Sequence, residues 1–331
     1  MFKRVGVYIG RFQPFHNGHA HVIEEMIADG NDKLIILVGS SHQSRSPKNP
    51  WNFKERQKII QDHIAIYLKS GTEFVVQGIR DFIHDSDWEV EVQRIVKNHT
   101  EEKDHITIYN SSKDTAYAYE EKFAGWEGKV LHSNYPNINS TEIREKYYNH
   151  GLKWIEKLSE YLPESTFDFL REEVKTDLYL KLKDEYDHLE NYKKQWSGLK
   201  HPVTFVTVDC VILNHHNKVA LVRRKEMPGR GYYALPGGFV KPTETLVQAA
   251  VRCAKDKAGI ILDKNLVYHS VVFDQPDRSL RGRTITHTFL FKLGINYTPL
   301  SNTPNWINVN QLFMYEEEIF EDHKLIIESL V

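Results

Sequence analysis

The sequence predicts an α/β protein: a Rossmann-like parallel sheet with helices on both faces, followed by a second, smaller α/β domain. Three observations carry this. Strand-like and helix-like patterns alternate through the first half, as expected when parallel strands are joined by helical crossovers. The stretch from 151 to 200 then turns polar, charged and helical. After His201-Pro202, β-branched runs and Gly/Pro-rich turns resume. We therefore expect a first domain over 1–160, a helical linker over 161–200 and a second domain over 201–331. A length of 331 residues suits two domains, and 40% hydrophobic with 27% charged residues is an ordinary globular balance.

In the first half, residues 5–9 read as a strand and 20–28 as a helix. Residues 33–38 form a continuous apolar run typical of a buried strand, ending in Gly39-Ser40-Ser41. Helix patterns follow at 53–67, 88–96 and 140–150, with strands at 73–77, 105–109 and 129–132. In the linker, Leu178, Leu182, Tyr186, Leu189 and Tyr192 recur at spacings of three and four, which makes one helical stripe. Beyond it, 203–213 and 218–223 read as a hairpin, 243–257 as a helix stopped by Gly259, and 267–273 and 284–291 as strands.

Two constellations carry chemistry in the first half. Gly10-Arg11-Phe12-Gln13-Pro14-Phe15-His16-Asn17-Gly18-His19 lies between the first strand and the first helix. A helix start presents backbone N–H groups to anions, and glycine permits close approach. His16 and His19 are suited to donate to phosphate oxygens that gain charge as a leaving group departs. The second constellation is Asn139-Ser140-Thr141-Glu142-Ile143-Arg144. Asn139 or Ser140 is a good N-cap, and the hydroxyls and Arg144 converge on one anion site.

The first string resembles the His-x-Gly-His signature of the nucleotidylyltransferase superfamily, in the form found in archaeal-type nicotinamide mononucleotide (NMN) adenylyltransferases. The second resembles that superfamily's Ile-Ser-x-Thr-x-Ile-Arg motif, with Asn139 where serine is usual. The resemblance implies transfer of AMP from ATP to NMN, giving NAD and pyrophosphate. It assigns His16, His19, Arg11 and Arg144 to the reacting phosphates. It assigns Gly10, Phe12, Gly18, Lys48, Lys113, Asn139, Ser140 and Thr141 to ATP, and Asp81 and Trp88 to the nicotinamide end of NMN. Mg²⁺, or Mn²⁺ in its place, would bridge phosphate oxygens.

In the second half, Gly238, Glu244, Arg252 and Gly259-Ile260 stand at the spacings of a Nudix box, preceded by Leu235-Pro236-Gly237-Gly238. Pro276-Asp277-Arg278 with Arg281-Gly282-Arg283 is similar to the ADP-ribose pyrophosphatase branch. The resemblance implies a Nudix α/β/α sandwich with Gly238, Arg278, Arg281 and Arg283 toward the ligand. The box is degenerate: three positions that hold glutamate in the family are Cys253, Asp256 and Lys257. Only Glu244 and Asp256 remain as metal candidates, and a lysine in a Mg²⁺ site opposes binding of the cation. Hydrolysis is therefore expected to be weak or lost. A fully bifunctional enzyme, and a module that senses ADP-ribose or NAD, stay open. Over its whole length the chain resembles bacterial bifunctional NMN adenylyltransferase/Nudix proteins.

The remaining expectations concern partners. Lys plus Arg (43) nearly balances Asp plus Glu (45), so nucleic acid is not expected as a partner. No apolar run is long enough to span a bilayer. Two cysteines, Cys210 and Cys253, suggest no disulfide framework, which fits a cytoplasmic protein. Small nucleotides (ATP, NMN, NAD, ADP-ribose) are the expected ligands, and a homo-oligomer stays open.

Overall fold

The run Arg4-Val-Gly-Val-Tyr-Ile-Gly10 forms the central strand β1 (Arg4–Gly10), with β2 (Lys33–Val38) on one side and β4 (His105–Ser111) on the other. Outside these lie β3 (Glu73–Gly78) and β5 (Glu127–Leu131). The order is β3-β2-β1-β4-β5, and every pairing is parallel. Alternation divides β2 between two cores. Leu34, Ile36 and Val38 pack with Ile23, Met26, Ile60 and Ile64 from α1 (Asn17–Ala28) and α2 (Phe53–Tyr67). Ile35 and Leu37 pack with Val92, Ile95 and Val96 of α3 (Asp85–Lys97). Burial on both faces explains the uninterrupted apolar run. Strand order reverses at β1, and ligands in such sheets bind beyond the carboxyl ends at that point.

The computed structural model describes residues 2–68, 70–111, 122–132, 135, 138–295, 297 and 304–331. The chain divides into two units, Met1–Lys183 and Asp184–Val331. Helix ends differ from expectation where caps decide them. α1 starts at Asn17, not 20, because His16 caps it. α3 starts at Asp85, where Asp85 and Asp87 suit the positive helix end. Residues 151–194 hold three helices: α5 (Leu152–Leu158), α6 (Glu164–Glu173) and α7 (Asp177–Lys194), after α4 (Ser140–His150). The division between units falls within α7. In the first unit, α6 is pinned by Thr166, whose hydroxyl donates to the Phe15 carbonyl at 2.9 Å. Along α7, Leu182 and Leu189 are buried, while Leu178, Tyr186 and Tyr192 are half-buried.

The second unit is a mixed sheet in the order β10-β11-β6-β7-β12, with β8 on β7 and β9 on β6. β6 (Phe205–Leu213) pairs in parallel with β11 (Thr284–Lys292) and antiparallel with β7 (Lys218–Arg223). β8 (Tyr233–Ala234), β9 (Gly237–Phe239), β10 (Val267–Phe273) and β12 (Asn305–Asn308) complete it. α8 (Leu246–Ala258) lays Ala249, Ala250, Cys253 and Ala254 on Val208, Cys210 and Ile212. It starts at Leu246 because Thr245 caps it in a reciprocal box with Gln248, and it ends at Gly259, φ 66°. A short helix α9 (His323–Glu328) lies near the end of the chain.

One buried cation organises the sheet end of the first unit. Arg56 is 1% exposed. Its Nη1 donates to the carbonyls of Arg11 (2.6 Å) and Gly39 (2.7 Å), and its Nη2 to that of Ser40 (3.0 Å). Replacing it with Met should cost about 2–4 kcal/mol, since several buried acceptors lose a charged donor. The check is the denaturant midpoint of the first unit; an unchanged midpoint would refute this role.

Candidate functional site

Both sequence constellations of the first unit line one cavity of ≈ 330 Å³ at the carboxyl ends of β1 and β4. Gly10, Arg11, Phe12, His16, Gly18 and His19 come from the β1–α1 turn; Asn139, Ser140, Thr141 and Arg144 come from the start of α4. Gly10 is required sterically: a Cβ there would stand 2.8 Å from the Phe12 ring. Asn139 is the N-cap of α4, its side chain accepting from Thr141 N at 2.8 Å. The two helix N-termini thus share one cavity, where backbone N–H groups favour anions.

The histidines cap the first of these helices themselves. His16 Nδ1 accepts from His19 N (3.4 Å) and His19 Nδ1 accepts from His16 N (3.3 Å). The rings stack at 3.6 Å between centroids and 12° between planes. A neutral imidazole whose Nδ1 accepts carries its proton on Nε2, so this geometry assigns Nε2–H as the donor of each ring. His19 packs among Tyr8, Phe12 and Phe15. Its burial, with the charge of His16 second, holds its pKa well below the usual imidazole value.

Arg144 is the buried cation of the cavity. It donates to the Gln13 carbonyl and to Thr141 Oγ1 at 3.1 Å. Burial first, and the like charge of Arg11 second, lower its pKa to about 10, which leaves it protonated at neutral pH. Gln13 is locked in turn: its amide donates to Trp51 O (2.8 Å) and accepts from Trp51 N (3.2 Å). Among the described residues, no Asp or Glu lines this cavity.

Three expected residues lie outside that lining. Asp81 accepts from Ser40 Oγ and Gln43 Nε2, both at 3.0 Å, beside the end of β2. Trp88 is half-buried in the first turn of α3, 6.0 Å from the Phe123 ring. Lys48 is half-buried in the loop before α2, and its neighbour Arg45 is held by Glu55 through two 2.8 Å contacts. Lys113 lies outside the described residues.

The second unit has a cavity of ≈ 340 Å³ lined by Gly238, Asp256, Lys257, Arg278 and Arg281 together with Asp209, Arg224 and Glu321. Arg283 is not on its lining and donates to the Asp274 carbonyl. Arg278 is paired with Asp322 (2.8 Å) and also donates to Thr286. Gly237 admits no Cβ, which would meet Asp209 Oδ1 at 1.8 Å. The residues that sequence reasoning missed are Asp209, Arg224, Glu321, Asp322 and His323. A signal for the last three existed in the acidic-acidic-His run that follows Ile319-Phe320.

The carboxylates of the Nudix box lie beside cations. Glu244 accepts from Arg252 at 2.6 and 2.9 Å and from Lys241 N at 2.9 Å. Those bonds, the Arg252 contact first, lower its pKa to about 2. Asp256 is exposed, 4.0 Å from the other side of Arg252. Cys253 is buried, and burial raises its thiol pKa. Lys257 is exposed as a residue, yet its ammonium donates to the Gly237 carbonyl. Among the described residues, no group of three or more His, Cys, Asp or Glu could hold a metal ion, and no helix is long and apolar enough to cross a membrane.

Comparison with known proteins agrees with both halves. Residues 7–146 match the cytidylyltransferase-like family, and residues 203–330 match the NUDIX domain. A nicotinamide/nicotinic acid mononucleotide adenylyltransferase of Acinetobacter baylyi is 30% identical over 180 residues, 54% of this chain and 92% of that protein. An ADP-ribose pyrophosphatase of Methanocaldococcus jannaschii is 42% identical over 98 residues, 29% of this chain and 54% of that protein. The crystal structure of a bifunctional NMN adenylyltransferase/ADP-ribose pyrophosphatase from Francisella tularensis, complexed with AMP and a Mn ion, matches with a TM-score of 0.86 and 30% identity. It covers 99% of this chain and 98% of that one. Fold and site thus define a nucleotidyltransferase joined to a Nudix domain. More narrowly, the chain belongs to the family of bifunctional NMN adenylyltransferase/ADP-ribose pyrophosphatase proteins.

Asp209, buried on the second cavity's floor, generates a pH test. Burial, opposed by Arg278, raises its pKa from 3.8 to about 6. The folded chain therefore keeps a proton that the unfolded chain releases, and the stability this gives is lost as pH rises through about 6. Relative to wild type, Asp209→Asn should gain about 1–3 kcal/mol on going from about pH 4 to about pH 7.5. Thermal or denaturant unfolding at the two pH values measures it; an equal difference at both would refute the assignment.

Proposed function

We propose that the first unit transfers AMP from ATP to NMN, forming NAD and releasing pyrophosphate. The observation that carries this reading is the single cavity onto which both phosphate-handling motifs converge. An oxygen of the NMN 5′-phosphate attacks the α-phosphorus of ATP in line. The bond from that phosphorus to the bridging oxygen breaks, and pyrophosphate departs with the electron pair. No covalent enzyme intermediate is needed, because positioning and charge stabilisation carry such transfers. Nε2–H of His16 and His19 donates to phosphate oxygens, while Arg144 and Arg11 supply positive charge. A Mg²⁺ or Mn²⁺ ion bound with ATP would supply further positive charge at the phosphates. Asp81, with Ser40 and Gln43 fixing its carboxylate, and Trp88 serve the nicotinamide end.

Synthesis of NAD from ATP and NMN by the full chain is the test. Removing a donor aimed at developing charge costs about 100-fold or more in kcat. His19→Ala and Arg144→Ala should each fall in that range. Rates within threefold of wild type for both would overturn the reading.

For the second unit we infer a Nudix fold that has kept its ligand cavity and lost most of its hydrolytic power. The ammonium of Lys257 at the cavity floor supports this. Incubation with ADP-ribose and Mg²⁺ or Mn²⁺ should release little AMP from a preparation that makes NAD. Strong AMP release would restore the fully bifunctional alternative.

A further inference from the structure

The second cavity is cationic without a metal. Six cationic side chains and four acidic ones line it. Lys257 Nζ lies on the Gly237 carbonyl and 3.5 Å from where a Gly238 Cβ would stand. Its charge is therefore beside the stretch of backbone that a ligand can approach most closely. Lys257, Arg224 and Arg281 all line this one cavity, and burial, with the like charges of the two arginines, lowers the Lys257 pKa. Arg224 uses Nε on Pro228 O (2.7 Å), and Arg281 uses Nε on Ser279 Oγ (3.3 Å). Among the described residues, the Nη groups of both have no protein acceptor. Arg278, by contrast, is committed to Asp322 and Thr286.

Elsewhere in the cavity, Asp209 is buried and Glu321 half-buried, and desolvation raises both pKa values. A carboxylate set of this kind does not assemble a cation site with Glu244, which is bound to Arg252. The volume of ≈ 340 Å³ lies within the range of small-ligand sites.

We propose that Lys257 replaces the divalent cation, so that this cavity binds a nucleoside diphosphate ester without metal, its diphosphate held by Lys257, Arg224 and Arg281. This rests on the reading of the cavity as a ligand site. It turns the degenerate box from a damaged hydrolase into a binding site. The ammonium neutralises the diphosphate as a metal would, but it activates no water.

The test is calorimetric titration of the full chain with ADP-ribose, in excess EDTA and again in Mg²⁺, with thermal unfolding to confirm that each variant is folded. The dissociation constant of the wild type should agree within about twofold between the two buffers. Lys257→Gln should weaken binding about tenfold or more in both. Lys257→Glu should bind only with Mg²⁺, and Lys257→Arg should bind without it. Arg281→Ala should weaken binding in every condition. Wild-type binding that is lost in EDTA and also lost in Arg281→Ala would overturn the role of Lys257 while keeping the cavity as the ligand site. Absence of binding, or binding insensitive to both Arg281 and Lys257, would overturn the reading of the cavity and the proposal with it.

Discussion

The first unit depends on one buried guanidinium. Carbonyls past the carboxyl ends of β1 and β2 have no ladder partners, and a buried carbonyl without a donor is costly. Arg56 satisfies those of Arg11, Gly39 and Ser40 at once. It reaches them from the first turn of α2, whose N-terminus is fixed by the reciprocal box of Asn52 and Glu55. The two loops that frame the site are thereby tied to each other and to one helix. A flexible sheet end becomes a rigid rim, on which the His16/His19 turn can hold its geometry.

The rim extends through a chain of paired contacts. Trp51 exchanges two hydrogen bonds with Gln13, and Gln13 accepts from Arg144. Tyr147, one turn further along α4, stands 6.1 Å from the Trp51 ring and donates to Glu173 of α6. Two distant motifs are thus set in register, with Arg144 tied to the β1–α1 turn through Gln13 and Trp51. Buried polar networks of this kind specify one arrangement because every partial version leaves a group unpaired.

Much of this was legible beforehand, for identifiable reasons. The inner strands β1, β2 and β4 are buried on both faces, so their apolar runs stand out. Helices at 53–67 and 140–150 matched to the residue because Asn52 and Asn139 cap them. What was illegible depended on backbone geometry or distant contacts. The string Glu55-Arg56 gives no hint that the arginine turns inward. The histidine tautomers follow from backbone N–H directions that only the turn defines. The linker stripe is α7, while α6 before it gave no stripe of its own because it is short and buries only a few side chains. Arg278 of the second cavity is paired with Asp322, 44 positions further on, a separation that no local pattern reveals.

The two helix starts differ in a way that bears on how such a chain can change over time. In α1 the chemical groups are also the caps, so a substitution that abolishes the chemistry also frays the helix. Such a motif can outlast its own activity, because the fold keeps selecting for it. In α8 the duties are separate: Thr245, Gln248 and Gly259 hold the ends, Glu244 and Arg252 brace the loop, and positions 253, 256 and 257 carry no structural burden of that kind. Cys253 is held by its packing in the core, whereas the exposed positions 256 and 257 are free to drift while the domain stays folded. In a joined protein of this design, the box of the second unit can therefore change at less cost to the fold than the motif of the first.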